Sequence, residues 1–130
     1  RVLFRSCVTK ANLESLVSSA VESQQSAILA IPVRDTLKSV GHGAEIANTV
    51  DRSQLWQAQT PQMAKLGVLK KAIEQALLAQ VNITDEASAL EYANQTVQVV
   101  QGRTDNIKIT YPDDLELAKL ILASQPPAVK

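Results

Sequence analysis

Residues 48–62, which read NTVDRSQLWQAQTPQ, separate a strand-like segment from the longest helix-like segment of the chain. This stretch holds the only tryptophan, an arginine, and several hydroxyl and amide side chains. Two further polar clusters, residues 84–88 and 103–108, also stand at the edges of apolar segments. Because functional side chains are often placed where a rigid element ends, we expect the three clusters to converge on one site.

Composition limits the classes of function that are open to the chain. Its 130 residues are enough for one domain, and 13 basic residues balance 13 acidic ones, which argues against a surface for nucleic acid or anionic membranes. No apolar run approaches the ~20 residues of a membrane span. Cys7 and His42 are the only cysteine and histidine, which excludes an internal disulfide, a cysteine metal site and a histidine-based catalytic triad. A reducing, cytoplasmic setting fits best.

The first half of the chain predicts a helix, a strand and a hairpin. Residues 7–25 carry one apolar stripe at helical spacing, with Thr9 as a plausible N-cap. Residues 27–31 form a short apolar run, which is typical of a strand that is covered on both faces in a parallel sheet. Residues 37–50 predict a hairpin that turns at residues 41–43, Gly-His-Gly. It can be a dimer arm or a mobile surface hairpin, and the sequence favours neither.

The second half predicts helix, helix, strand, strand and helix, with bounds near 64–80, 84–91, 97–100, 107–110 and 111–125. Thr84 or Asp85 caps the second of these helices, and Asp85 and Glu86 are interpreted as helix-start acids rather than metal ligands. In the last helix we expect four side chains to face inward: Leu115, Ala118, Ile121 and Leu122.

The order of elements predicts an α/β fold that has few strands for a doubly wound sheet. Residues 1–6 resemble the translation of a sequencing adapter, so we expect a non-native tail there, a domain portion at 7–125, and a second tail at 126–130. An N-terminal portion of the domain is expected to be missing.

Five segments carry a resemblance to a known family: residues 32–36, 49–52, 55–62, 84–92 and 105–110. In this order they resemble 2-C-methyl-D-erythritol 4-phosphate cytidylyltransferases, enzymes of the non-mevalonate route to isoprenoids. The resemblance implies the C-terminal part of a Rossmann-like nucleotidyltransferase with a three-layer α/β/α fold. It also implies a homodimer in which the hairpin at 37–50 is the dimerisation arm.

The resemblance covers only the C-terminal half of that family. The Gly-rich loop, with the Arg and Lys that hold the CTP phosphates, has no counterpart in this sequence. We therefore expect a truncated enzyme that is inactive alone and retains no catalytic residue of the nucleotide site. Mg²⁺ is expected with CTP in the missing half.

The family transfers CMP from CTP to methylerythritol phosphate and releases pyrophosphate. By resemblance, the substrate-binding residues are Thr36, Arg52, Thr60, Thr84 and Lys108, with Lys108 at the substrate phosphate and Arg52 reaching the site of the neighbouring subunit. Each also has a plain structural explanation, such as a solvated lysine or a helix cap. Asp35 can pair with Arg34 or receive substrate hydroxyls.

Two other functions remain open on the sequence. Ribitol-5-phosphate cytidylyltransferases share the Thr-Pro-Gln and Asn-x-Lys motifs, although the Thr-Asp-Glu-Ala-Ser segment at 84–88 favours methylerythritol phosphate. A non-catalytic binding or dimerisation module is the alternative from a different class.

Overall fold

The computed structural model describes residues 4–126, so the ends of both predicted tails, residues 1–3 and 127–130, lie outside the described residues. The elements follow the order α1 (Lys10–Ser23), β1 (Ser26–Pro32), β2 (Leu37–Val40), β3 (Ile46–Val50), β4 (Trp56–Met63), α2 (Leu66–Leu78), α3 (Glu86–Tyr92), β5 (Val97–Gln101) and α4 (Pro112–Ser124).

The apolar run predicted as a buried strand is the central strand, β1, of a three-stranded sheet with the order β4-β1-β5. β5 pairs parallel to it, in a register that sets Ile28 beside Val99. β4 pairs antiparallel to it, so the sheet is mixed and only one neighbour of β1 is parallel. Strand residues alternate between the faces of a sheet, and β1 is therefore apolar on both faces because both are covered.

Helices cover the two faces of the sheet. On one face, Ala27 and Leu29 of β1 pack against Leu16 and Ala20 of α1. On the other face, Ile28 and Ala30 form a cluster with Ala87 of α3. The helix α2 packs on α3 in a third cluster, built on Ala72, Ala89 and Leu90. The predicted three-layer α/β/α architecture is confirmed.

The predicted hairpin is confirmed as a separate two-stranded sheet of β2 and β3. Leu37 pairs with Val50 at its base, and a single 3₁₀ turn at His42–Ala44 closes its tip. Gly43 has φ of 80°, a left-handed conformation that glycine adopts without strain, which explains the second glycine of the Gly-His-Gly turn. The tip and most of both strands are exposed.

Two strand assignments are wrong. β4 was not predicted, since half of its residues are polar and it includes Pro61. A proline can be accommodated there because β4 is an edge strand. Residues 107–110 are not a strand: only Ile109 forms a bridge, an antiparallel one with Phe4. The backbone of this segment meets a single residue of the N-terminal segment, so no ladder develops.

The expected inward stripe of α4 is wrong as well. Only Ala118 is buried, whereas Leu115 is 47% and Leu122 is 45% exposed. The helix meets the body through a small area near Cys7, whose thiol lies 3.8 Å from the Ala118 carbonyl and whose carbonyl accepts a hydrogen bond from Gln125. Large apolar side chains of α1 and α4 therefore remain at least 40% exposed: Leu13, Val17, Val21, Leu115, Leu117, Leu120 and Leu122.

The predictions of helix caps are confirmed at two helix starts. Thr9 is the N-cap of α1, and its hydroxyl accepts a hydrogen bond from the Asn12 amide. Asp85, rather than Thr84, caps α3. Within residues 4–126, no helix combines the length and apolarity that crossing a membrane requires.

Substituting Leu29 tests the central position of β1. Leu29 is 0% exposed and lies between α1 and the sheet, so Leu29→Ala should lower the free energy of unfolding of the 130-residue chain by about 3 kcal/mol. Leu120→Ala is the control, because Leu120 is 70% exposed and should change it by less than about 0.5 kcal/mol. Urea unfolding followed by circular dichroism measures both, and equal losses would contradict the assignment.

Candidate functional site

An open cavity of about 400 Å³ lies where the three polar clusters of the sequence meet. β4 supplies one wall, residues 84–86 before and at the start of α3 supply a second, and Lys108 and the segment of Phe4 and Arg5 supply the rest. The expected convergence of the three clusters is confirmed.

Three of the five predicted substrate-binding residues, Thr60, Thr84 and Lys108, line this cavity. Thr36 and Arg52 do not line it. Thr36 is exposed in the loop between β1 and β2, and Arg52 follows β3 and donates a hydrogen bond to the Val33 carbonyl at 3.1 Å. A single cavity within one chain therefore brings together three of the five predicted substrate-binding residues.

Thr60 owes its position to an irregularity in β4. Between the pairs Ile28–Gln62 and Ala30–Ala58, β1 has one residue while β4 has three, Gln59, Thr60 and Pro61. The Thr60–Pro61 peptide bond is cis. Such bulges bend a strand and re-aim its side chains, and they are common beside active sites. Here the bulge places Thr60 against the loop that carries Lys108.

The second wall is tied to β4 by Gln62. Its side-chain amide donates to Asp85 Oδ2 at 2.9 Å and its carbonyl oxygen accepts from the Ala87 amide at 3.0 Å. Asp85 Oδ1 in turn accepts from the Ser88 amide, and the Ser88 hydroxyl accepts from the Thr84 amide at 3.0 Å. This network caps α3 and fixes Thr84 at the cavity.

The charge of Asp85 is stabilised by this network. Burial raises the pKa of Asp85, but hydrogen bonds from Gln62 and Ser88 outweigh it and hold the pKa below its usual value. Both carboxylate oxygens are engaged, which makes Asp85 a structural anion of the cavity wall.

The third wall is a loop that runs from Gly102 to Ile109 and is held to β4 by side-chain amides. Gln59 Nε2 donates to the Arg103 carbonyl at 2.9 Å, and Asn106 Nδ2 donates to the Thr60 carbonyl at 3.0 Å. Lys108 extends from this loop and is exposed at the cavity.

Two further interactions shape the same loop. Arg103 and Asp105 form a bidentate pair with distances of 2.8 and 2.6 Å, and the hydrogen bond from Arg103 lowers the pKa of Asp105. Arg5 donates to the carbonyls of Asn106 and Ala58, and burial lowers the pKa of its guanidinium. Residues 4 and 5 therefore contact the body, while the assignment of 1–6 as non-native stays a prediction.

The sequence predicted Asp85 as a helix cap, but it did not single out three other polar residues that build the walls: Gln59, Gln62 and Asn106. Gln59 is 3% and Asn106 is 0% exposed, although their residue types are mostly found at the surface. The available signal was their position inside two motifs, next to Thr60 and Lys108. Their partners are distant in sequence, so the sequence did not indicate the contacts.

Comparison with known proteins identifies the family. A family model described as 2-C-methyl-D-erythritol 4-phosphate cytidylyltransferase matches residues 4–124. The chain belongs to this family. A member from Acinetobacter baumannii (strain SDF) is 67% identical over 121 residues, which are 93% of this chain and 51% of the relative. A member from Shewanella amazonensis is 50% identical over 121 residues, which are again 93% of this chain and 51% of the relative.

Solved cytidylyltransferase structures agree with the fold. The Francisella tularensis structure matches with a TM-score of 0.79 and 38% identity, over 90% of this chain and 55% of that one. The Thermus thermophilus structure matches with a TM-score of 0.80 and 28% identity, over 89% and 56%. The chain thus spans about half the length of the cytidylyltransferases that it matches.

The Asp85 network gives a pH-dependent prediction. Because its folded-state pKa is lowered, Asp85 contributes stability above about pH 4, and this contribution is lost as the pH falls through the folded pKa. Asp85→Ala should cost about 1 kcal/mol near pH 7, the typical value of an N-cap, and less below about pH 4.

Urea unfolding over this pH range measures the difference between parent and variant. The exposed loop residue Asp35, substituted in Asp35→Ala, is the control and should change stability little at any pH. A cost of Asp85→Ala that stays constant down to about pH 3 would contradict the assigned network.

Proposed function

We propose that this chain supplies the methylerythritol-phosphate side of the active site in a cytidylyltransferase, which transfers CMP from CTP to 2-C-methyl-D-erythritol 4-phosphate. The observation that carries the proposal is the single cavity shared by Lys108, Thr60 and Thr84 in a member of this family. The names of the relatives favour this substrate over ribitol 5-phosphate. A cytoplasmic location remains part of the proposal.

The chemistry needs no nucleophile from the protein. A phosphate oxygen of the substrate attacks the α-phosphorus of CTP, the new P–O bond forms, and the bond to pyrophosphate breaks. Catalysis then depends on holding two anions together and neutralising their charge. Cys7 is a poor alternative nucleophile, because it is fully buried and its pKa is raised by burial and by Asp105.

The cavity has the donors that a phosphate monoester requires. Lys108 is an exposed cation whose ammonium can reach phosphate oxygens, and the hydroxyls of Thr60 and Thr84 can donate hydrogen bonds. Asp85 is bound to Gln62 and Ser88, which limits its repulsion of an anion. We assign Lys108 to the substrate phosphate.

Arg52 fits the proposal as a residue that completes the site of a second subunit, and the substrate-binding role of Thr36 stays a prediction. Arg52 lies outside the cavity of its own chain and directly after the exposed hairpin of β2 and β3. Only one guanidinium nitrogen is engaged by Val33, which leaves further donors for a phosphate. We propose that the hairpin is the arm of a homodimer and carries Arg52 towards the partner's Lys108.

CTP and Mg²⁺ are assigned to the part of the enzyme outside this chain. Within residues 4–126, no group of three His, Cys, Asp or Glu side chains is arranged to hold a metal ion. Mg²⁺ is usually bound through substrate phosphates and one or two carboxylates, and we assign it to the phosphates of CTP. The proposed role of this chain is to bind and orient the sugar phosphate.

Subunit mixing tests the shared site. In a chimera that carries this chain in place of the matching segment of the Acinetobacter baumannii enzyme, Arg52→Ala and Lys108→Ala should each lower kcat/KM for methylerythritol phosphate about 30- to 1,000-fold. This loss corresponds to about 2–4 kcal/mol, the effect of one electrostatic donor. The KM for CTP should change little, because CTP is assigned to the other half.

A mixture of the two inactive variants should regain about a quarter of the parent's active sites, since half of the random dimers are mixed and each has one intact site. Heterodimers are confirmed by native mass spectrometry. Exposed Arg34, substituted in Arg34→Ala, is the control. Heterodimers without recovered activity would show that Arg52 and Lys108 do not meet across subunits.

A further inference from the structure

The loop that carries Lys108 has no backbone ladder to a neighbouring strand. Between Gly102 and Ile109 the only described bridge is that of Ile109, whose amide donates to the Phe4 carbonyl at 2.9 Å. A single bridge leaves the direction of the loop undefined. Other contacts must therefore determine where Lys108 stands relative to Thr60.

Arg5 and the Arg103–Asp105 pair supply some of these contacts, and two buried side-chain amides, one from each side, tie the loop directly to β4. Gln59, on the bulge of β4, donates from Nε2 to the Arg103 carbonyl near the start of the loop. Asn106, on the loop, donates from Nδ2 to the Thr60 carbonyl. This second bond joins the backbone of Thr60 to the side chain of Asn106, which lies two positions before Lys108.

The absence of a side chain at Gly102 makes room for this arrangement. A Cβ atom on Gly102 would lie 2.3 Å from Gln59 Oε1 and 3.6 Å from the Ala30 carbonyl. The Gly102 amide donates to that same carbonyl at 2.8 Å, so the backbone cannot move away without breaking this bond. Gly102 thus allows Gln59 to pass beneath the loop and reach Arg103.

Each of the two side-chain amides donates a hydrogen bond that ties the loop to β4, but leaves its own oxygen without a hydrogen bond from residues 4–126. Gln59 Oε1 and Asn106 Oδ1 are both buried, and neither has a hydrogen-bond partner among residues 4–126. A buried acceptor that lacks a partner destabilises a protein, and apolar side chains of similar shape would avoid this cost. What apolar side chains cannot provide is a directional bond to the Thr60 and Arg103 carbonyls.

We propose that Asn106 and Gln59 are positioning residues that act through Lys108: together they hold the Lys108 loop on the bulge of β4, so that the ammonium and the Thr60 hydroxyl meet the same phosphate. This inference rests on the proposed function, because it takes Lys108 as the group that contacts the substrate. It adds two residues whose proposed role is to position Lys108, and a defined route by which they do so.

A double-mutant cycle in the chimera with the Acinetobacter baumannii segment tests the route. Asn106→Ala should lower kcat/KM for methylerythritol phosphate about tenfold when Lys108 is present, and less than about twofold in a Lys108→Ala background, because coupled residues are non-additive. The KM for CTP should stay within about twofold of the parent value in both backgrounds. A purely structural role of Asn106 would lower kcat/KM by the same factor with and without Lys108.

Asn12→Ala is the matched control. Asn12 is also buried and also hydrogen-bonded, to the Thr9 hydroxyl, but it lies on α1 and lines no part of the cavity. Any effect of Asn12→Ala should be the same with and without Lys108. If Asn106→Ala fails to unfold cooperatively, Gln59→Met enters the same cycle, because it keeps the side-chain length and removes only the amide.

The outcomes separate the two claims. Equal factors for Asn106→Ala with and without Lys108, beside a strong loss in Lys108→Ala, would overturn the positioning role and leave the proposed function standing. Full activity in Lys108→Ala would overturn the proposed function, and the positioning role with it. A loss that depends on Lys108 supports both.

Discussion

The pairing of β1 on both of its sides is the constraint on which the rest of the structure depends. Its apolar side chains hold α1 on one face and α3 on the other, and its backbone aligns β4 with β5. β4 follows that backbone only by accepting a bulge opposite Leu29. The same bulge carries Gln59 and Thr60 to the loop after β5. The burial of an apolar strand therefore determines where a polar site can form.

The sequence predicted those elements whose signal is local. The helical stripe after Thr9, the apolar run of β1, the Gly-His-Gly hairpin and α2 all appear within a few residues of the expected bounds. β4 was missed because it is a strand through its pairing with β1 and not through its own composition. The burial of α4 was overestimated, because an apolar stripe indicates which face can be covered and not whether the described residues cover it.

The residues of the candidate site also divide into those that a local motif indicates and those that it does not. Thr60, Thr84 and Lys108 could be chosen from short motifs, and the structure places them around one cavity. Gln59 and Asn106 could not, because their partners Arg103 and Thr60 are 44 and 46 residues away. Arg52 lies outside that cavity, and its proposed role requires a second subunit. Each residue was predictable to the extent that its role depends on neighbours in the sequence.

The central claim is that this chain holds the sugar-phosphate side of a site whose nucleotide side lies elsewhere. The most direct measurement is pyrophosphate release from CTP and methylerythritol phosphate by two proteins side by side, the 130-residue chain and the chimera that joins it to the remaining half of the Acinetobacter baumannii enzyme. The account predicts release that requires both substrates in the chimera, and none in the chain alone. Release by the chain alone, or a well-folded chimera without activity, would contradict it.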